Sequence, residues 1–339
     1  MPELVPPDRV ADELDLTPFE IPTAPLPTGG LDSTAGHGHH AVEQSSGFVD
    51  TVSDLSQELI VDPSFWDSMF LWDMPILAAT ILGLLLGTMG MYLVLARAAF
   101  VGAAVSQLAG FGVVVAIGLF GGLHGGASPD GAVRLVGLAT GVLGAGLFLL
   151  PSRGRGISTD AVLAITVIGA SALTLVGAGF LTREYQHIRN TLYGDAVVAS
   201  STEVGIVAVI ATTILLLERR VRVRWLFVLF DSETASAQGM AVRRWMALLG
   251  FAISITVATA TAGVGALVAF AFSVLPPTIA LLWTKRIDRA FLVSAMLAAT
   301  AAVLGYYLAF IWSLPTGPTM AAVLLFPLLL SAAYRAFRR

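Results

Sequence analysis

The sequence has few charged residues, no cysteine and a single lysine. Charged residues make up 12% of its 339 positions, about half the share that is usual in soluble proteins. This composition argues against a purely soluble enzyme. The absence of cysteine excludes disulfides, zinc–thiolate sites, iron–sulfur clusters and cysteine nucleophiles. Because no glycine-rich loop precedes Lys285, the chain has no Walker A loop and does not bind ATP in that way.

Hydrophobic residues, in contrast, make up 56% of the chain, and its mean hydropathy is +0.82. The net charge of −4 conceals two regions of opposite sign. Residues 1–73 contain fourteen acidic residues and one basic residue, a net charge of −13. Residues 74–339 contain nine acidic and eighteen basic residues, a net charge of +9. The two regions are therefore expected to face different surroundings.

The first 64 residues are rich in Pro, Gly, Ser, Thr, Asp and Glu, a composition that cannot bury enough apolar surface to fold. We expect residues 1–64 to form a disordered acidic tail, and they lack the basic and apolar regions of a cleavable signal peptide. His37, His39 and His40 cluster in this tail, either as a divalent-metal collecting site or as chance low complexity. Residues 65–73, rich in Phe and Trp, either suit the lipid headgroup level or simply begin the first helix.

Apolar stretches after residue 73 are long enough to cross a bilayer, which takes about 20 helical residues. We therefore predict an all-α, polytopic membrane protein with a transmembrane domain over residues 74–339. Small residues four apart, such as Gly83 and Gly87, favour close packing between its helices. The nine predicted spans are 74–96, 99–120, 132–150, 160–181, 203–217, 245–262, 264–283, 290–312 and 317–335.

The basic residues set the orientation of these spans, because cytoplasmic loops are enriched in Lys and Arg. With a cytoplasmic C-terminus, fifteen of the nineteen basic residues lie inside, whereas the opposite orientation places those fifteen outside. Nine spans then put the N-terminus, the acidic tail and all five histidines outside. The predicted location is the cell (inner) membrane.

No Asp, Glu, Lys, Arg or His lies near the middle of a predicted span. Intramembrane charges commonly mark proton relays and ion-coupled transport, so their absence argues against a proton- or sodium-driven transporter. The polar groups at depth are hydroxyls and one amide, and such hydroxyls usually bond to their own helix backbone. These residues are Thr88, Ser106, Gln107, Thr256, Thr259, Ser273 and Thr278.

The longest predicted cytoplasmic loop contains a short helix over about residues 230–241. Asp231 or Ser232 can cap the start of this helix, and Glu233 favours its first turn. Gly239 can end it. A short helix between basic, membrane-flanking segments suits the docking of a cytoplasmic partner. The alternative is a surface helix that binds nothing.

Two further segments carry glycine and proline at distinctive positions. Residues 263–280 open with glycines and are interrupted by Pro276 and Pro277. Broken helices at membrane depth line a cavity or lie buried in protein. Residues 314–318 read Leu-Pro-Thr-Gly-Pro, which predicts a tight outside turn that restarts a helix.

In this order along the chain, the three segments resemble the membrane permease family of ABC importers for zinc, manganese and iron. The resemblance rests on a Phe-Asp-x-x-x-Ala-x-x-x-Gly segment from Phe230 to Gly239, a glycine-rich helix that ends in Leu-Pro-x-x-x-Ala, and the Leu-Pro-Thr-Gly-Pro turn. Asp160 at the start of the fourth span and residues 187–195 look like further segments of the family. The resemblance covers about residues 74–335.

The resemblance implies a mechanism and a set of partners. Two permease subunits line one path, separate cytoplasmic ATPase subunits hydrolyse ATP, and an extracytoplasmic metal-binding protein delivers a divalent metal ion. The chain is then a transport subunit and not an enzyme, and it binds no cofactor itself. Residues implied in coupling to the ATPase are Phe230, Asp231, Glu233, Ala235 and Gly239. Residues implied in the translocation path are Ala103, Ser106, Gln107, Ser273, Pro276 and Thr278.

The second span departs from the family pattern, which usually begins Gly-Asp-Ala-Leu-Ser-His and uses the Asp and His to line the metal path. Here Ala103 and Gln107 occupy those positions, which lie four apart on one helix face. Alanine cannot ligate a metal, and a glutamine amide is a poor ligand for zinc. Three explanations follow. The partner permease is a different chain that keeps the ligands, the substrate crosses with oxygen-only contacts, or the substrate has changed.

We favour the first explanation, because a heterodimer needs ligands from only one side. The sequence therefore predicts a permease subunit of an ATP-driven importer of zinc, manganese or iron. One alternative is a permease for a metal chelate or another small solute. The other is a membrane scaffold that transports nothing, for which the missing ligands of the second span would be the signature.

Overall fold

A computed structural model describes residues 69–123, 130–144, 159–181 and 201–337, and every regular element in these ranges is an α-helix. The all-α class is thus confirmed for the described part of the chain. The predicted acidic tail lies outside the described residues. The helices, numbered in chain order, are α1 (Met69–Leu95), α2 (Ala99–Leu123), α3 (Asp130–Leu143), α4 (Thr159–Phe180), α5 (Ser201–Phe230), α6 (Ser232–Ala237), α7 (Val242–Val264), α8 (Ala266–Trp283), α9 (Ile287–Ile311) and α10 (Thr316–Phe337).

Seven of the described helices are long and apolar enough to cross a membrane, namely α1, α2, α4, α7, α8, α9 and α10. The predicted third span falls on α3, which has 14 described residues. The predicted fifth span falls on α5, whose second half carries four arginines. The described residues therefore contain seven candidate spans, whereas the count of nine and the orientation of the termini stay predictions.

α1 lies at the centre of the bundle and packs against α5, α7, α8 and α9. Its side chains are buried on all sides instead of along one stripe, as expected for a helix inside a bundle. A second, smaller apolar cluster joins α2 to α3 and α4. The fully buried side chains of α1 include Leu82, Leu85, Leu86, Met89 and Tyr92.

The outer helices α4 and α10 turn large apolar side chains away from the bundle. Ile168 and Phe180 of α4 are 69% and 85% exposed, and Phe326 of α10 is 73% exposed. Large apolar side chains exposed to this extent need apolar surroundings. Lipid or a neighbouring subunit provides such surroundings, which supports the membrane assignment.

Two glycines let α1 approach α9 closely, as their spacing predicts. A Cβ added to Gly87 would lie 2.7 Å from the carbonyl oxygen of Ser294. The hydroxyl of Ser294 donates a hydrogen bond of 2.6 Å to the carbonyl oxygen of Gly87. A Cβ added to Gly83 would lie 3.0 Å from the carbonyl oxygen of Ala298. The close approach predicted from this glycine pair is confirmed.

α5 is longer than the sequence predicts, because the cytoplasmic loop expected after the fifth span continues as helix to Phe230. This stretch contains no glycine or proline, and its buried residues Glu218, Val221, Trp225 and Val228 recur at helical spacing. Thirty residues of α-helix measure about 45 Å. Because the hydrocarbon core is about 30 Å thick, α5 reaches beyond it.

α8 is a continuous helix that contains Pro276 and Pro277, so the predicted interruption at these prolines is wrong. The break lies instead at Gly265, between α7 and α8, where φ is 90°. Proline has no N–H, so the carbonyls of Phe272 and Ser273 lose the helix donor that would lie four residues further on. Neighbouring helices pack against α8, and such packing lets a helix continue past proline at membrane depth.

Candidate functional site

Asp231 holds the N-terminus of α6 and is the one residue between α5 and α6. Its Oδ1 accepts a hydrogen bond of 2.9 Å from the backbone N–H of Thr234. Hydrogen bonds from the side chain and then the backbone of Thr234 lower the pKa of Asp231 below its ordinary value. The resulting carboxylate, with Glu233 in the first turn, is favourable at a helix N-terminus. Of the two predicted capping residues, the structure selects Asp231.

Gly239 closes the C-terminus of α6. Its φ of +81° lies in the left-handed region that favours glycine. The N–H of Gly239 donates to the carbonyl of Ser236 at 2.9 Å, and the N–H of Met240 donates to the carbonyl of Ala235 at 3.0 Å. This pair of bonds is a Schellman motif. Both ends of the six-residue helix are therefore capped by hydrogen bonds, which explains why so short a helix forms.

The predicted coupling residues divide into an exposed set and one buried anchor. Ala235 is fully buried where α6 packs on α5 and α7. Phe230, Asp231, Glu233 and Gly239 are exposed. The structure thus brings all five together in one projecting segment. Four are open to a partner, and the alanine fixes the position of the segment.

The surface beside α6 is basic. Ser236, Arg243 and Arg244 line an open depression of about 530 Å³. The guanidinium of Arg224 lies 5.3 Å from the ring centre of Trp245 and connects α5 to α7. An acidic helix start beside basic side chains offers both signs of charge, which gives a partner electrostatic specificity.

The predicted path residues lie on two helices, α2 and α8, that contact each other. On α2, Ala103 and Ser106 are buried and Gln107 is half-buried. On α8, Ser273 is buried, as is Pro276. The structure therefore gathers these residues within the bundle, and their role in a path stays a prediction.

The hydroxyls among these residues bond to their own helices. Those of Ser106, Ser273 and Thr278 each donate to a carbonyl three or four residues earlier, at 2.6–2.9 Å. This is the back-bonding that the sequence predicts for single hydroxyls in spans. Each hydroxyl oxygen keeps acceptor capacity, because the bond uses only its proton.

Ser273 marks the point where α1, α2 and α8 meet. A Cβ added to Gly90 of α1 would lie 2.1 Å from the carbonyl oxygen of Ser273, and one added to Gly102 of α2 would lie 3.0 Å from its Oγ. The same carbonyl has lost its helix donor, because Pro277 stands four residues on. At the centre of the bundle, Gly90 therefore approaches the backbone carbonyl of Ser273 and Gly102 approaches its hydroxyl.

The structure shows no group of three or more His, Cys, Asp or Glu side chains able to hold a metal within the described residues. The tail histidines, His37, His39 and His40, lie outside them. At the two positions of α2 where the resemblance expects ligands, Ala103 and Gln107 stand on one turn of helix. Their side chains offer at most one amide oxygen per subunit.

One buried cluster was missed by the sequence interpretation. Glu218 is only 6% exposed and accepts a hydrogen bond of 2.9 Å from the hydroxyl of Tyr92. Its carboxylate also lies 3.1 Å from Nε of Arg222. The available signal was the spacing of Glu218 with Val221 and Trp225, which places a carboxylate on the apolar face of a continuing helix.

The apolar spans and the projecting helix α6 define a multi-pass membrane transport subunit. The chain matches the model of the ABC 3 transport family over residues 70–335 and belongs to that family. The family resemblance seen in the sequence is therefore confirmed, and so is the location in the cell membrane. The chain is a component of a transporter.

Individual relatives agree with the family match. The chain is 25% identical over 247 residues to the manganese transport system membrane protein MntC of Halalkalibacterium halodurans, covering 73% of this chain and 81% of the relative. It is 27% identical over 248 residues to the chelated iron transport system membrane protein YfeD of Yersinia pestis, covering 73% and 80%. The PsaBC structure from Streptococcus pneumoniae has the same fold, with a TM-score of 0.68, 22% identity and coverage of 79% of this chain and 94% of that one.

Proposed function

We propose that this chain is the permease subunit of an ATP-driven importer of a divalent metal ion, manganese, iron or zinc. The structure of α6 supports this proposal most directly. This short helix is capped at both ends and presents Glu233 outside the bundle. Family membership and the printed names of the manganese and chelated iron relatives support the substrate class.

Energy for transport comes from a partner chain in this proposal. No glycine-rich loop precedes the single lysine, Lys285, so this chain lacks a Walker A loop. α6 docks on a cytoplasmic ABC ATPase, and an extracytoplasmic metal-binding protein delivers the ion. The orientation that places α6 in the cytoplasm is the one that keeps most basic residues inside.

The second permease subunit is a different chain in this proposal. Ala103 and Gln107 supply too few metal ligands for a pair of identical subunits, because zinc and manganese sites use carboxylates and imidazoles. A partner that carries Asp and His at the matching positions would provide ligands from one side of the path.

Purification through a tag on this chain is therefore expected to recover two permease sequences in equal amounts, together with the ATPase. Mass spectrometry of the purified transporter identifies the chains and their ratio. Recovery of this chain as the sole permease, in an assembly that still carries the ATPase, would exclude the heterodimer.

Deletion of this chain tests the substrate class itself. We expect uptake of one of manganese, iron and zinc to fall to background at low external concentration, because no other subunit completes the path. Elemental analysis of cells and radiometal uptake measure the loss, and a plasmid that carries the intact chain restores it. Normal uptake of all three metals in the deletion strain would refute the proposed substrate class.

A further inference from the structure

We propose that Tyr92, Glu218 and Arg222 form a mechanical junction that carries the movement of α6 to α1 and α9. These three residues are called the Glu218 junction below. The inference rests on the proposed function, since it needs an ATPase docked on α6. Glu218 and Arg222 are positioning residues, because they act through the helices that they connect.

The contacts of the Glu218 junction join three helices. Glu218 and Arg222 belong to α5, and the hydroxyl of Tyr92 on α1 donates to Oε1 of Glu218 at 2.9 Å. The Tyr92 ring packs edge-on against Trp225 of α5, with centroids 5.5 Å apart. It packs in the same way against Phe291 of α9, with centroids 5.1 Å apart. One tyrosine of α1 thus contacts both α5 and α9.

Arg222 extends the junction to the start of α9. Its guanidinium lies 4.0 Å from the ring centre of Phe291 and 3.7 Å from the carboxylate of Asp288. The same guanidinium lies 3.1 Å from the carboxylate of Glu218. Arg222 therefore stands between a buried and an exposed carboxylate, so a small rotation of α5 changes which of them it favours.

Stability alone does not explain why the Glu218 junction consists of charged and polar residues. A buried ion pair is weak evidence for stability, because hydrophobic residues of similar volume often replace one at no cost. The indole N–H of Trp225 is also buried and has no hydrogen-bond partner among the described residues, which is unfavourable. Buried polar groups of this kind fix one relative position of packed helices.

The route from α6 to the junction is short and helical. One residue, Asp231, separates α6 from α5, and its N–H still donates to the carbonyl of Phe227 at 2.9 Å. α5 then runs without a break from Phe230 back to Glu218. Displacement of α6 by an ATPase therefore moves Glu218 almost as part of one rigid body.

On the other side of the junction, α1 leads to the centre of the bundle. Tyr92 stands two residues from Gly90, where α1 lies against the Ser273 backbone of α8. α2 meets the same serine through Gly102. A shift of Tyr92 therefore reaches the point where the helices of the predicted path, α2 and α8, meet α1.

The test uses the complete transporter with its ATPase and binding protein, reconstituted in phospholipid vesicles. Uptake of Mn²⁺, Fe²⁺ and Zn²⁺, supplied together, is measured by mass spectrometry beside the rate of ATP hydrolysis. We expect Tyr92→Phe and Glu218→Gln each to lower metal uptake per ATP about tenfold, because the first removes a hydrogen bond to a carboxylate and the second removes the charge of that carboxylate. The double variant falls no further than either single variant, since both act at one junction.

A purely structural role gives a different pattern. It lowers the yield of folded transporter and its association with the ATPase, and it leaves the uptake per ATP of the surviving transporters unchanged. That result for both conservative variants overturns the junction. The matched control is Thr213→Val on the same helix, whose exposed hydroxyl donates to the carbonyl of Val209 within α5. Its uptake per ATP is expected to equal that of the wild type.

Failure of the proposed function is distinguishable from failure of the junction. Wild-type vesicles that take up none of the three metals contradict the proposed substrate class. ATP hydrolysis then tests the junction, because the binding protein should stimulate hydrolysis in the wild type and in Thr213→Val. Equal stimulation in Tyr92→Phe and Glu218→Gln would also overturn the inference.

Discussion

Replacing Gly90 with alanine should prevent α1 and α8 from packing and sharply reduce the amount of folded protein. The added Cβ would lie 2.1 Å from the carbonyl oxygen of Ser273 and 2.8 Å from its Cα. These are backbone atoms, so no side-chain rotation relieves the overlap. Forcing a methyl group into a packed core costs about 1–3 kcal/mol or more. Thermal unfolding in detergent and the monodisperse fraction after gel filtration measure the effect.

The direction of the stability change shows whether a glycine lies at a close helix contact. In an open helix, alanine is favoured over glycine by about 1 kcal/mol. Gly205 on α5 provides the matched control, because a Cβ there meets nothing within 4 Å. Gly205→Ala should therefore be neutral or stabilising, whereas Gly90→Ala should be strongly destabilising. Equal melting temperatures for the two variants would mean that α1 and α8 do not approach closely at Gly90.

Gly90 also shows which part of the packing can be predicted from the sequence. The spacing of Gly83 and Gly87 predicts a close helix contact, and the structure shows this contact with α9. Gly90 has no partner glycine in such a pair, and its significance comes from the Ser273 carbonyl of a helix far along the chain. Spacing reveals a small-residue face of one helix, but it does not reveal what approaches that face.

Glu218 shows that a charged residue in the sequence does not always mark the end of a helix. The fifth predicted span ends at residue 217, where a cluster of charged residues begins. Apolar residues nevertheless recur at helical spacing through Trp225 and Val228, and the structure buries that face. A carboxylate is tolerated there because Tyr92 and Arg222 satisfy it. Those partners come from tertiary packing as well as from the same helix.

The prolines of α8 show the opposite case. They predict a helix break from the local sequence, but the helix does not break there. Pro276 and Pro277 remove two helix donors, and the sequence predicts a break there. The helix continues because its neighbours hold it, and the break occurs at Gly265, where φ is 90°. By contrast, the capping signals of α6 depend on residues adjacent in sequence. Those signals predict Gly239 correctly and limit the N-terminal cap to Asp231 or Ser232, of which the structure has Asp231.

Replacing Gly239 with valine should uncouple the permease from its ATPase while the bundle still folds. A non-glycine residue in the left-handed conformation costs about 1–2 kcal/mol, and a β-branched residue is among the least tolerated there. A helix as short as α6 has little stability of its own, so this cost is enough to open its last turn. We expect recovery of the ATPase with the tagged permease to fall about tenfold, the factor that 1.4 kcal/mol carries.

Two further variants show whether the conformation or the surface of α6 matters. Gly239→Asn should keep the ATPase bound, because asparagine adopts the left-handed conformation more readily than other side chains. Glu233→Ala leaves both helix ends intact and removes an exposed carboxylate, so a reduced recovery would assign that charge to the contact.

Hydrogen exchange at residues 232–237 reports directly on whether α6 is folded, and it should become faster in Gly239→Val alone. Because Gly239→Val disturbs only the end of α6, the unfolding temperature of the bundle should stay within the range of the wild type. Full recovery of the ATPase with Gly239→Val, despite rapid exchange in α6, would show that the ATPase docks elsewhere on the chain.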